Sequence, residues 1–320
     1  MRVLVTGLGG FAGSHLADWL LECGDTVIGL IRGPELPPAA AHLTGRVSLC
    51  HADLNDEAAV REVVLATAPD IVYHLAAQAS PAAAHREPVR LLVDNVTGAA
   101  TVLHAALACP QPPRVLLVTS SDMYGLPPSA EPLGEDTPPN PPNAYAVSKV
   151  CAHHLGRQLW QTHGLAVIEA RPFNHIGPRQ RLGFVAPDFA SQLAAIEQGR
   201  AEPVLRVGDL RAGRDFCDVR DVVRGYRALA LDGEPGTAYH LCSERAVTIA
   251  ELVERLVGLT RVAVRVEVDA ARLRPGVPSV VVGSARRVRE AFGWRAEIAL
   301  ERSLGDVLEE WRRLTRVRPT

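Results

Sequence analysis

Three side chains of the kinds that transfer protons stand in the middle of the chain: Ser120, Tyr145 and Lys149. Residues four apart on a helix share one face, so we expect Tyr145 and Lys149 to project together. A lysine ammonium can lower the pKa of the tyrosine and bind a ribose hydroxyl, while a serine hydroxyl orients a substrate oxygen. The set therefore predicts a tyrosine that exchanges a proton with a substrate near neutral pH.

The composition draws attention to the lysine. Of the 34 lysine and arginine residues, Lys149 is the single lysine. An ammonium is compact and a guanidinium is planar, so a lysine kept in so arginine-rich a chain indicates a place where only the compact cation serves. The alternative is that this lysine is there by chance.

A glycine-rich run, Gly7-Leu8-Gly9-Gly10-Phe11-Ala12-Gly13, follows a short apolar segment and precedes a helical pattern. Glycine at Gly7, Gly10 and Gly13 lets the backbone turn tightly and approach a pyrophosphate, whose charge meets the amides of a helix N-terminus. This context predicts a dinucleotide site that also includes Phe11. A purely structural turn is the alternative.

Residues after the second and third predicted strands bear on which dinucleotide binds. A site that prefers NAD places an acid at the end of the second strand, whereas this chain has Ile31 and Arg32 there. An arginine can pair with a 2′-phosphate, so we expect NADP, with NAD as the second possibility. Asp53 and Leu54 are predicted to flank the adenine. A solvated Arg32 and a plain turn role for Asp53 are the competing interpretations.

Short apolar runs alternate with helical patterns through the first half of the chain. This alternation predicts the α/β class, with a doubly wound parallel sheet of Rossmann type. Turns and prolines replace the alternation after Arg171. We therefore predict a dinucleotide-binding domain over residues 1–171 and a smaller C-terminal α/β lobe over 172–320, mainly for the substrate, with some segments returning to the first domain. The predicted strands are Arg2–Thr6, Val27–Ile31, Val47–His51, Ile71–Leu75, Val115–Ser120 and Val167–Arg171, and the predicted helices include Gly13–Leu21, Ala58–Ala66 and a last one ending at Trp311.

Composition and charge exclude several classes of protein. With 47% hydrophobic and 22% charged residues, the chain is close to the average for soluble globular proteins. The net charge of -2 argues against a general attraction to nucleic acid or to an anionic membrane. We see neither a signal peptide nor an apolar run near the roughly 20 residues that span a bilayer, so we expect a cytoplasmic location. The six cysteines are scattered without a C-x-x-C pair, so we expect no metal.

Several motifs taken together resemble the extended short-chain dehydrogenase/reductase family of nucleotide-sugar enzymes, over essentially the whole chain. Besides the glycine run and the Tyr145 and Lys149 pair, they are His74-Leu75-Ala76-Ala77, Asn95-Val96-Thr97-Gly98 and Ser120-Ser121-Asp122-Met123-Tyr124-Gly125. The resemblance implies a homodimer and a nucleotide-sugar held by the C-terminal lobe. It also implies a nicotinamide cofactor in the N-terminal lobe, with contacts at Leu75, Ala76 and Ala77.

Within that family, the second half of the chain is most similar to enzymes that reduce GDP-4-keto-6-deoxymannose at C4 to GDP-6-deoxymannose (GDP-rhamnose). The similarity lies in residues 171–180, 183–185, 188–190, 207–210 and 214–221. The resemblance implies the same reduction here, on a GDP-linked substrate.

Three polar residues in those stretches are candidates for binding the substrate pyrophosphate: Asn174, Arg179 and Arg214. Amide and guanidinium groups donate hydrogen bonds to phosphate, and arginine does so bidentately. Arg179 could equally be a surface loop residue. Arg214 could equally form a structural ion pair with Asp218 or Asp221.

Three other activities remain open. A nucleotide-sugar 4,6-dehydratase of the GDP-mannose type needs an extra acid/base pair beside the serine, and Ser121 with Asp122 occupies that place, where related enzymes usually have glutamate. The shorter carboxylate argues against dehydration without refuting it, because proton transfer depends on reach. A 4-epimerase would share every catalytic residue named. From another class of protein, a catalytically silent dinucleotide-binding sensor can have the same fold.

Overall fold

The computed structural model describes residues 1–79, 81–126, 131–273 and 280–317. Strands and helices alternate along the first half of the chain. The strands are β1 (Arg2–Thr6), β2 (Thr26–Ile31), β3 (Ser48–His51), β4 (Ile71–His74), β5 (Arg114–Val118), β6 (Val167–Pro172), β7 (Asn174–Ile176), β8 (Val204–Val207), β9 (Gly213–Asp218), β10 (Ala238–Leu241), β11 (Ala246–Thr248), β12 (Arg265–Val268) and β13 (Val280–Val281). The helices are α1 (Phe11–Glu22), α2 (Glu57–Thr67), α3 (Pro81–Arg86), α4 (Pro88–Leu107), α5 (Ala144–His163), α6 (Val185–Glu197), α7 (Val219–Asp232), α8 (Ile249–Gly258), α9 (Arg286–Phe292) and α10 (Leu300–Val317).

Seven of the described strands form one parallel sheet in the spatial order β10-β6-β5-β4-β1-β2-β3. Val3 of β1, for example, pairs with Val27 of β2 on one side and with Ile71 of β4 on the other. Strands of this kind are runs of valine, isoleucine and leucine because helices cover both faces of the sheet. The predicted α/β fold with a doubly wound parallel sheet is confirmed.

Alternate residues of a strand point to opposite faces of the sheet, and β1 shows how this builds two cores. Val3 and Val5 belong to one buried cluster together with residues of α1 and α7. Leu4, between them, belongs to a second buried cluster with residues of α2, α4 and α5. The two helical layers leave the carboxyl ends of the strands open.

The second half of the chain builds a smaller lobe and also contributes to the large sheet. In that lobe β9 pairs with β7, β11 and β13, and β8 pairs with β12. Helices α6, α8 and α10 surround a third buried cluster that includes Phe189, Leu252 and Leu304. Strand β10, by contrast, lies beside β6 at the edge of the large sheet. The division of domains between residues 171 and 172 stays a prediction.

Several predicted boundaries differ from the structure by one or two residues, such as the start of α1 at Phe11 rather than Gly13, and two boundaries differ for local reasons. The fifth strand ends at Val118 rather than Ser120, because Ser120 caps a short 3-10 turn over Ser121–Tyr124. The last helix runs to Val317 rather than to Trp311, because its amphipathic pattern continues. Within the described ranges, every helix is too short or too polar to cross a membrane.

Candidate active site

A cavity of about 1400 Å³ lies where the carboxyl ends of the sheet strands meet the smaller lobe. In open sheets of this kind, ligands bind at that edge. Every residue to which the sequence assigns a catalytic, cofactor or substrate role lies in the cavity wall. They are Gly7, Gly10, Phe11, Gly13, Arg32, Asp53, Leu54, Leu75, Ala76, Ala77, Ser120, Ser121, Asp122, Tyr145, Lys149, Asn174, Arg179 and Arg214. Position alone does not fix their roles, which depend on what each side chain contacts.

The glycine turn after β1 leaves room for a pyrophosphate. Gly7 has a left-handed φ of +74°, and a Cβ there would lie 2.9 Å from the backbone of Ala76. A Cβ at Gly13 would lie 2.1 Å from the carbonyl oxygen of Gly7, so α1 can approach the turn this closely only with glycine. Among the described residues, no side chain caps α1 at Gly10. Amides of the first turn can therefore stabilise an anion, and the turn fits a dinucleotide.

A buried pair joins the strand ends of β1 and β4 next to this turn. Oγ1 of Thr6 lies 2.9 Å from Nδ1 of His74 and accepts a hydrogen bond from the backbone N of Ala76 at 3.2 Å. Burial and the charge of Lys149 lower the pKa of His74 to about 3, so this ring is neutral at pH 7. The pair holds the segment from Leu75 onward against the glycine turn.

The end of β2 carries the arginine predicted to select NADP. The side chain of Arg32 is 74% exposed, and its Nη1 lies 4.0 Å from Oδ2 of Asp53. An exposed pair at that distance is weak, so the guanidinium can turn toward a phosphate. Oδ1 of Asp53 accepts from the backbone N of Asn55 at 3.0 Å, which favours the turn role that the sequence left open. Leu54 packs beside Gly98, where a Cβ would lie 3.2 Å from the Cβ of Leu54.

The start of α5 brings the serine, the tyrosine and the lysine together. Asn143 caps this helix, since its Oδ1 accepts from the backbone N of Ala146 at 2.9 Å. Tyr145 lies in the first turn, where the hydroxyl of Ser120 is close enough to act on its phenol as a hydrogen-bond partner. Lys149 lies one turn further on, with its Nζ 5.7 Å from the centre of the Tyr145 ring. The spacing of four residues places both side chains on one helix face.

The pKa of Tyr145 differs from the expectation drawn from the sequence. Burial raises this pKa above its ordinary value, the charge of Asp122 raises it further, and the hydrogen bond with Ser120 opposes both only in part. The ammonium of Lys149 donates to the carbonyl oxygen of Val118 at 2.8 Å rather than to the phenol. The predicted lowering of the tyrosine pKa is therefore wrong. The phenol is protonated near neutral pH, which is the form that a proton donor requires.

Burial also acts on the lysine itself. It lowers the pKa of Lys149 to about 8, while the charge of Glu169 opposes the shift. The ammonium is thus charged at neutral pH and loses its proton only slightly above it.

A chain of hydrogen bonds that the sequence analysis did not assign holds α5 to α4. Nδ2 of Asn95 donates to Oγ of Ser148 at 3.0 Å, and that hydroxyl donates to the carbonyl oxygen of Tyr145 at 2.7 Å. Oδ1 of Asn95 accepts from the backbone N of Gln78 at 2.7 Å. A role for Asn95 could have been predicted from the sequence, because Asn95 is the first residue of one of the motifs that carry the family resemblance.

The smaller lobe contributes Asn174 on β7 and Arg214 on β9, two strands that pair with each other. Burial lowers the pKa of Arg214, and the charge of Asp122 opposes that shift. Asp122 is open to solvent in the cavity, but the protein around it reduces its hydration and raises the pKa of its carboxyl group, against the effect of Arg214. Ser121, beside it, is almost fully buried.

The sequence analysis considered two acids as ion-pair partners of Arg214, and both form ion pairs with other arginines. Nη2 of Arg220 lies 2.7 Å from Oδ2 of Asp218, and Nη2 of Arg224 lies 2.7 Å from Oδ1 of Asp221. The acid whose charge acts on Arg214 is instead Asp122.

The guanidinium of Arg179 is engaged with helix α1. Its Nη1 donates to Oδ2 of Asp18 at 2.8 Å, and its Nη2 lies 2.6 Å from Nδ1 of His15. The backbone N of Arg179, whose φ of +70° is left-handed, donates to Oε2 of Glu310 at 2.6 Å. These contacts support a structural role, and the substrate role of Arg179 stays a prediction.

Three further residues of the smaller lobe line the cavity: Phe184, Asp209 and Arg272. Phe184 and Asp209 lie in the stretches that carry the similarity, where the sequence analysis gave them no role, and Arg272 was not recognised at all. Arg272 lies in a short 3-10 turn capped by Asp269. No motif marks it among the many arginines of the chain, so only the fold could place it there.

Comparisons with known proteins agree with this geometry. The sequence model of the family described as GDP-mannose 4,6 dehydratase matches residues 4–307. The chain is 37% identical to GDP-6-deoxy-D-mannose reductase of Pseudomonas aeruginosa, covering 97% of both chains. It is 29% identical to GDP-mannose 4,6 dehydratase 2 of Arabidopsis thaliana, covering 96% of this chain and 86% of the relative. The solved structure of RMD from Pseudomonas aeruginosa complexed with NADPH superposes with a TM-score of 0.85 at 35% identity, covering 99% of both chains.

Proposed function

We propose that this chain, which belongs to the GDP-mannose 4,6 dehydratase family of NAD(P)-dependent nucleotide-sugar enzymes, reduces GDP-4-keto-6-deoxymannose at C4 to GDP-6-deoxymannose (GDP-rhamnose), with NADPH as reductant. The observation that carries the proposal is that Ser120, Tyr145 and Lys149 line one cavity together with the glycine turn and Arg214. The similarity to GDP-6-deoxy-D-mannose reductase over 97% of both chains supports the choice of substrate.

The cofactor would be held at the glycine turn. The turn from Gly7 to Gly13 and the start of α1 would bind its pyrophosphate, Arg32 its 2′-phosphate, and Lys149 its ribose. When bound, NADPH supplies the hydride that reaches C4 of the sugar.

The proton required by the reduction would come from Tyr145. The hydroxyl of Ser120 orients the 4-keto oxygen, and Oη of Tyr145 donates its proton to that oxygen. The raised pKa keeps the proton on the phenol until the substrate oxygen gains negative charge. The ammonium of Lys149, one turn along α5, then stabilises the tyrosinate.

The diphosphate of the substrate would be held by the smaller lobe. Arg214 offers a guanidinium that can bind phosphate bidentately, and Asn174 offers an amide on the neighbouring strand. Arg179 is a weaker candidate, because Asp18 and His15 already engage its guanidinium.

Dehydration is the second candidate function, and Asp122 is the observation that keeps it open. Its carboxyl group faces the cavity, and a raised pKa would allow it to donate a proton. Against this, aspartate is one carbon shorter than the usual glutamate, and the charge of Arg214 acts on it. A 4-epimerase or a silent dinucleotide-binding sensor would keep the same glycine turn.

Product analysis separates these functions. The purified protein is incubated with NADPH and GDP-4-keto-6-deoxymannose, and separately with GDP-mannose. A reductase consumes one NADPH for each keto sugar reduced, because it has no oxidative half-reaction to restore the cofactor. Conversion of GDP-mannose to its 4-keto-6-deoxy form without net change in cofactor would instead identify a dehydratase. Binding of NADPH without any turnover would identify the sensor.

We also propose a homodimer and a cytoplasmic location. Val89 and Val93 lie four residues apart on α4 and are 74% and 53% exposed, so one face of that helix presents apolar surface. A second copy packed on that face would cover them. Light scattering on the intact protein should give twice the chain mass, and Val93→Arg should give monomers. Cell fractionation tests the location.

A further inference from the structure

A buried charge cluster lies next to the catalytic residues, and of its members only Thr119 belongs to the cavity wall described above. Its centre is Glu169 on β6, whose Oε1 accepts from Oγ1 of Thr119 at 2.7 Å and from Nε of Arg171 at 2.9 Å. Its Oε2 accepts from Nη2 of Arg171 at 2.9 Å and lies 2.7 Å from Nδ1 of His153. We call these four residues the Glu169 cluster, and the side chains of Thr119, Glu169 and Arg171 are almost fully buried.

The cluster joins the segment that follows β5, which includes Thr119 and Ser120, to the helix that carries Lys149. Thr119 stands between Ser120 and Val118, the residue whose carbonyl accepts the hydrogen bond from Lys149. His153 follows Lys149 by four residues on α5 and therefore lies on the same helix face. One carboxylate thus fixes both the segment after β5 and helix α5 to β6, next to the reacting groups.

The charge of Glu169 also acts on the catalytic lysine, although the two side chains form no ion pair among the described residues. Lys149 is buried, and the hydrogen bond described for it goes to a neutral carbonyl. A buried cation needs an opposing charge, and Glu169 is the carboxylate that favours the ammonium. Burial acts to raise the pKa of Glu169, but His153 and Arg171 outweigh it and hold that pKa at about 2, so the carboxylate stays ionised.

Other titratable groups around this pair come from several elements. His74 on β4 is neutral, and Tyr145 carries its proton at pH 7. The charge of Glu169 also acts on other side chains packed around it. These are Tyr124, His153, His154, Arg171 and His240.

We propose that Glu169 is a positioning residue for the proton transfer: through Thr119 it fixes the distance between Ser120 and the helix of Tyr145 and Lys149, and it keeps the ammonium of Lys149 charged. This inference rests on the proposed reduction. Glu169 is not part of the cavity wall described above, and it acts through its contacts with Thr119 and His153 and through its charge on Lys149.

The test is the pH profile of turnover in Glu169→Gln, measured from pH 6 to 9.5 with GDP-4-keto-6-deoxymannose and NADPH. Removing the negative charge disfavours the ammonium, so the loss of turnover at high pH should begin about one pH unit lower than in the wild type. Turnover at pH 8.5 should then fall roughly 5- to 10-fold, against about 2-fold at pH 6.5. An unchanged profile overturns the proposal.

Glu197 provides a matched control, because it forms an equally buried pair with Arg312 between α6 and α10, away from the cavity wall described above. Glu197→Gln should lower the melting temperature without moving the pH profile. If both substitutions move the profile alike, the effect is general destabilisation and the proposal fails.

A second pair of variants covers the case in which Glu169→Gln does not fold. Thr119→Val removes only the hydroxyl that binds Glu169, whereas Thr119→Ser retains it. Thr119→Val should lose about 10-fold in turnover through misplacement of Ser120, and Thr119→Ser should stay within about 2-fold of the wild type. Equal turnover of the two would overturn the proposal.

The assay of the wild-type protein distinguishes a failure of this inference from a failure of the proposed function. If the wild type reduces no keto sugar, the reduction is wrong, and the pH dependence of the NADPH dissociation constant in Glu169→Gln replaces turnover as the measurement. A loss of affinity that begins about one pH unit lower than in the wild type would support the role of Glu169 toward Lys149. An unchanged dependence would contradict it.

Discussion

Nη1 of Arg179 donates to Oδ2 of Asp18 at 2.8 Å, which links the loop after β7 directly to helix α1. The two residues are 161 positions apart in the chain. Both side chains are partly buried, so the bond is shielded from solvent more than a surface pair would be.

Arg179→Ala should therefore act mainly on stability. We expect the free energy of unfolding to fall by about 1 to 2 kcal/mol, because a hydrogen-bonded charge pair is lost. The KM for the nucleotide-sugar should change less than about 3-fold, since the guanidinium is committed to α1. Denaturant unfolding and steady-state kinetics measure the two effects. Asp18→Asn is the matched control and should lower the free energy of unfolding by a similar amount. The double variant should lose less than the sum of the two single losses, because both substitutions remove the same interaction. A rise in KM above tenfold at unchanged stability would instead make Arg179 a phosphate ligand.

Lys149→Arg should lose roughly 100-fold or more in turnover, the scale of general acid-base contributions. Arginine keeps the charge but spreads it over a larger plane, which fits poorly in the buried space beside the carbonyl of Val118. Circular dichroism checks that the variant remains folded. Near-normal turnover would show that the single lysine of the chain is an accident of composition.

Tyr145→Phe should also lose roughly 100-fold or more in turnover, because the proton donor is removed. NADPH binding, followed by fluorescence, should be largely retained. Tyr73→Phe is a matched control, since Tyr73 is another buried tyrosine but lies in the core rather than in the cavity wall described above. If both variants turned over normally, the proposed proton donor would be wrong.

Arg32→Ala should weaken NADPH far more than NADH. The expected difference is about 1.5 to 3 kcal/mol, the value of a hydrogen bond to a charged group. Titration of the two cofactors measures it directly, and Arg61→Ala, an exposed arginine on α2, serves as the control. Equal weakening of both cofactors would mean that Arg32 does not bind the 2′-phosphate.

The protein should lose stability between pH 6.5 and pH 5 because of three buried histidines. Burial holds the pKa of His15 at about 4 and those of His74 and His240 at about 3, against 6.5 in the unfolded chain. The unfolded chain binds more protons in this window, so stability falls as the pH falls. Each histidine should contribute roughly 1 kcal/mol per pH unit. Denaturant unfolding at several pH values measures the slope, and a flat curve would mean that these rings become charged in the folded protein.

Much of the fold could be predicted from the sequence, because strands that are buried on both faces of a sheet consist almost entirely of apolar residues. The predicted strands at Arg2–Thr6 and Val27–Ile31 agree with the structure to within one residue. The family resemblance was predicted correctly for a similar reason, since glycines and the Tyr145 and Lys149 pair are local patterns whose spacing the helix and the turn preserve.

The parts that could not be predicted depend on contacts distant in sequence. The raised pKa of Tyr145 comes from burial and from Asp122, which only the assembled cavity brings about. The engagement of Arg179 needs Asp18 beside it. In the sequence Glu169 is a single acid in an apolar run. Its role depends on Thr119, which follows β5, and on His153 of α5, and no local sequence pattern predicts these contacts.

The place of β10 at the edge of the large sheet has a consequence for synthesis. Strands leave the ribosome in chain order, but β6 pairs with β10, which ends at Leu241, some seventy residues after β6. Until then the hydrogen-bonding edge of β6 stays open, and an open strand edge is a template for aggregation. About half of the second part of the chain must therefore be translated before the sheet that binds the cofactor can close. A fragment stopped at residue 171 would carry that unprotected edge permanently.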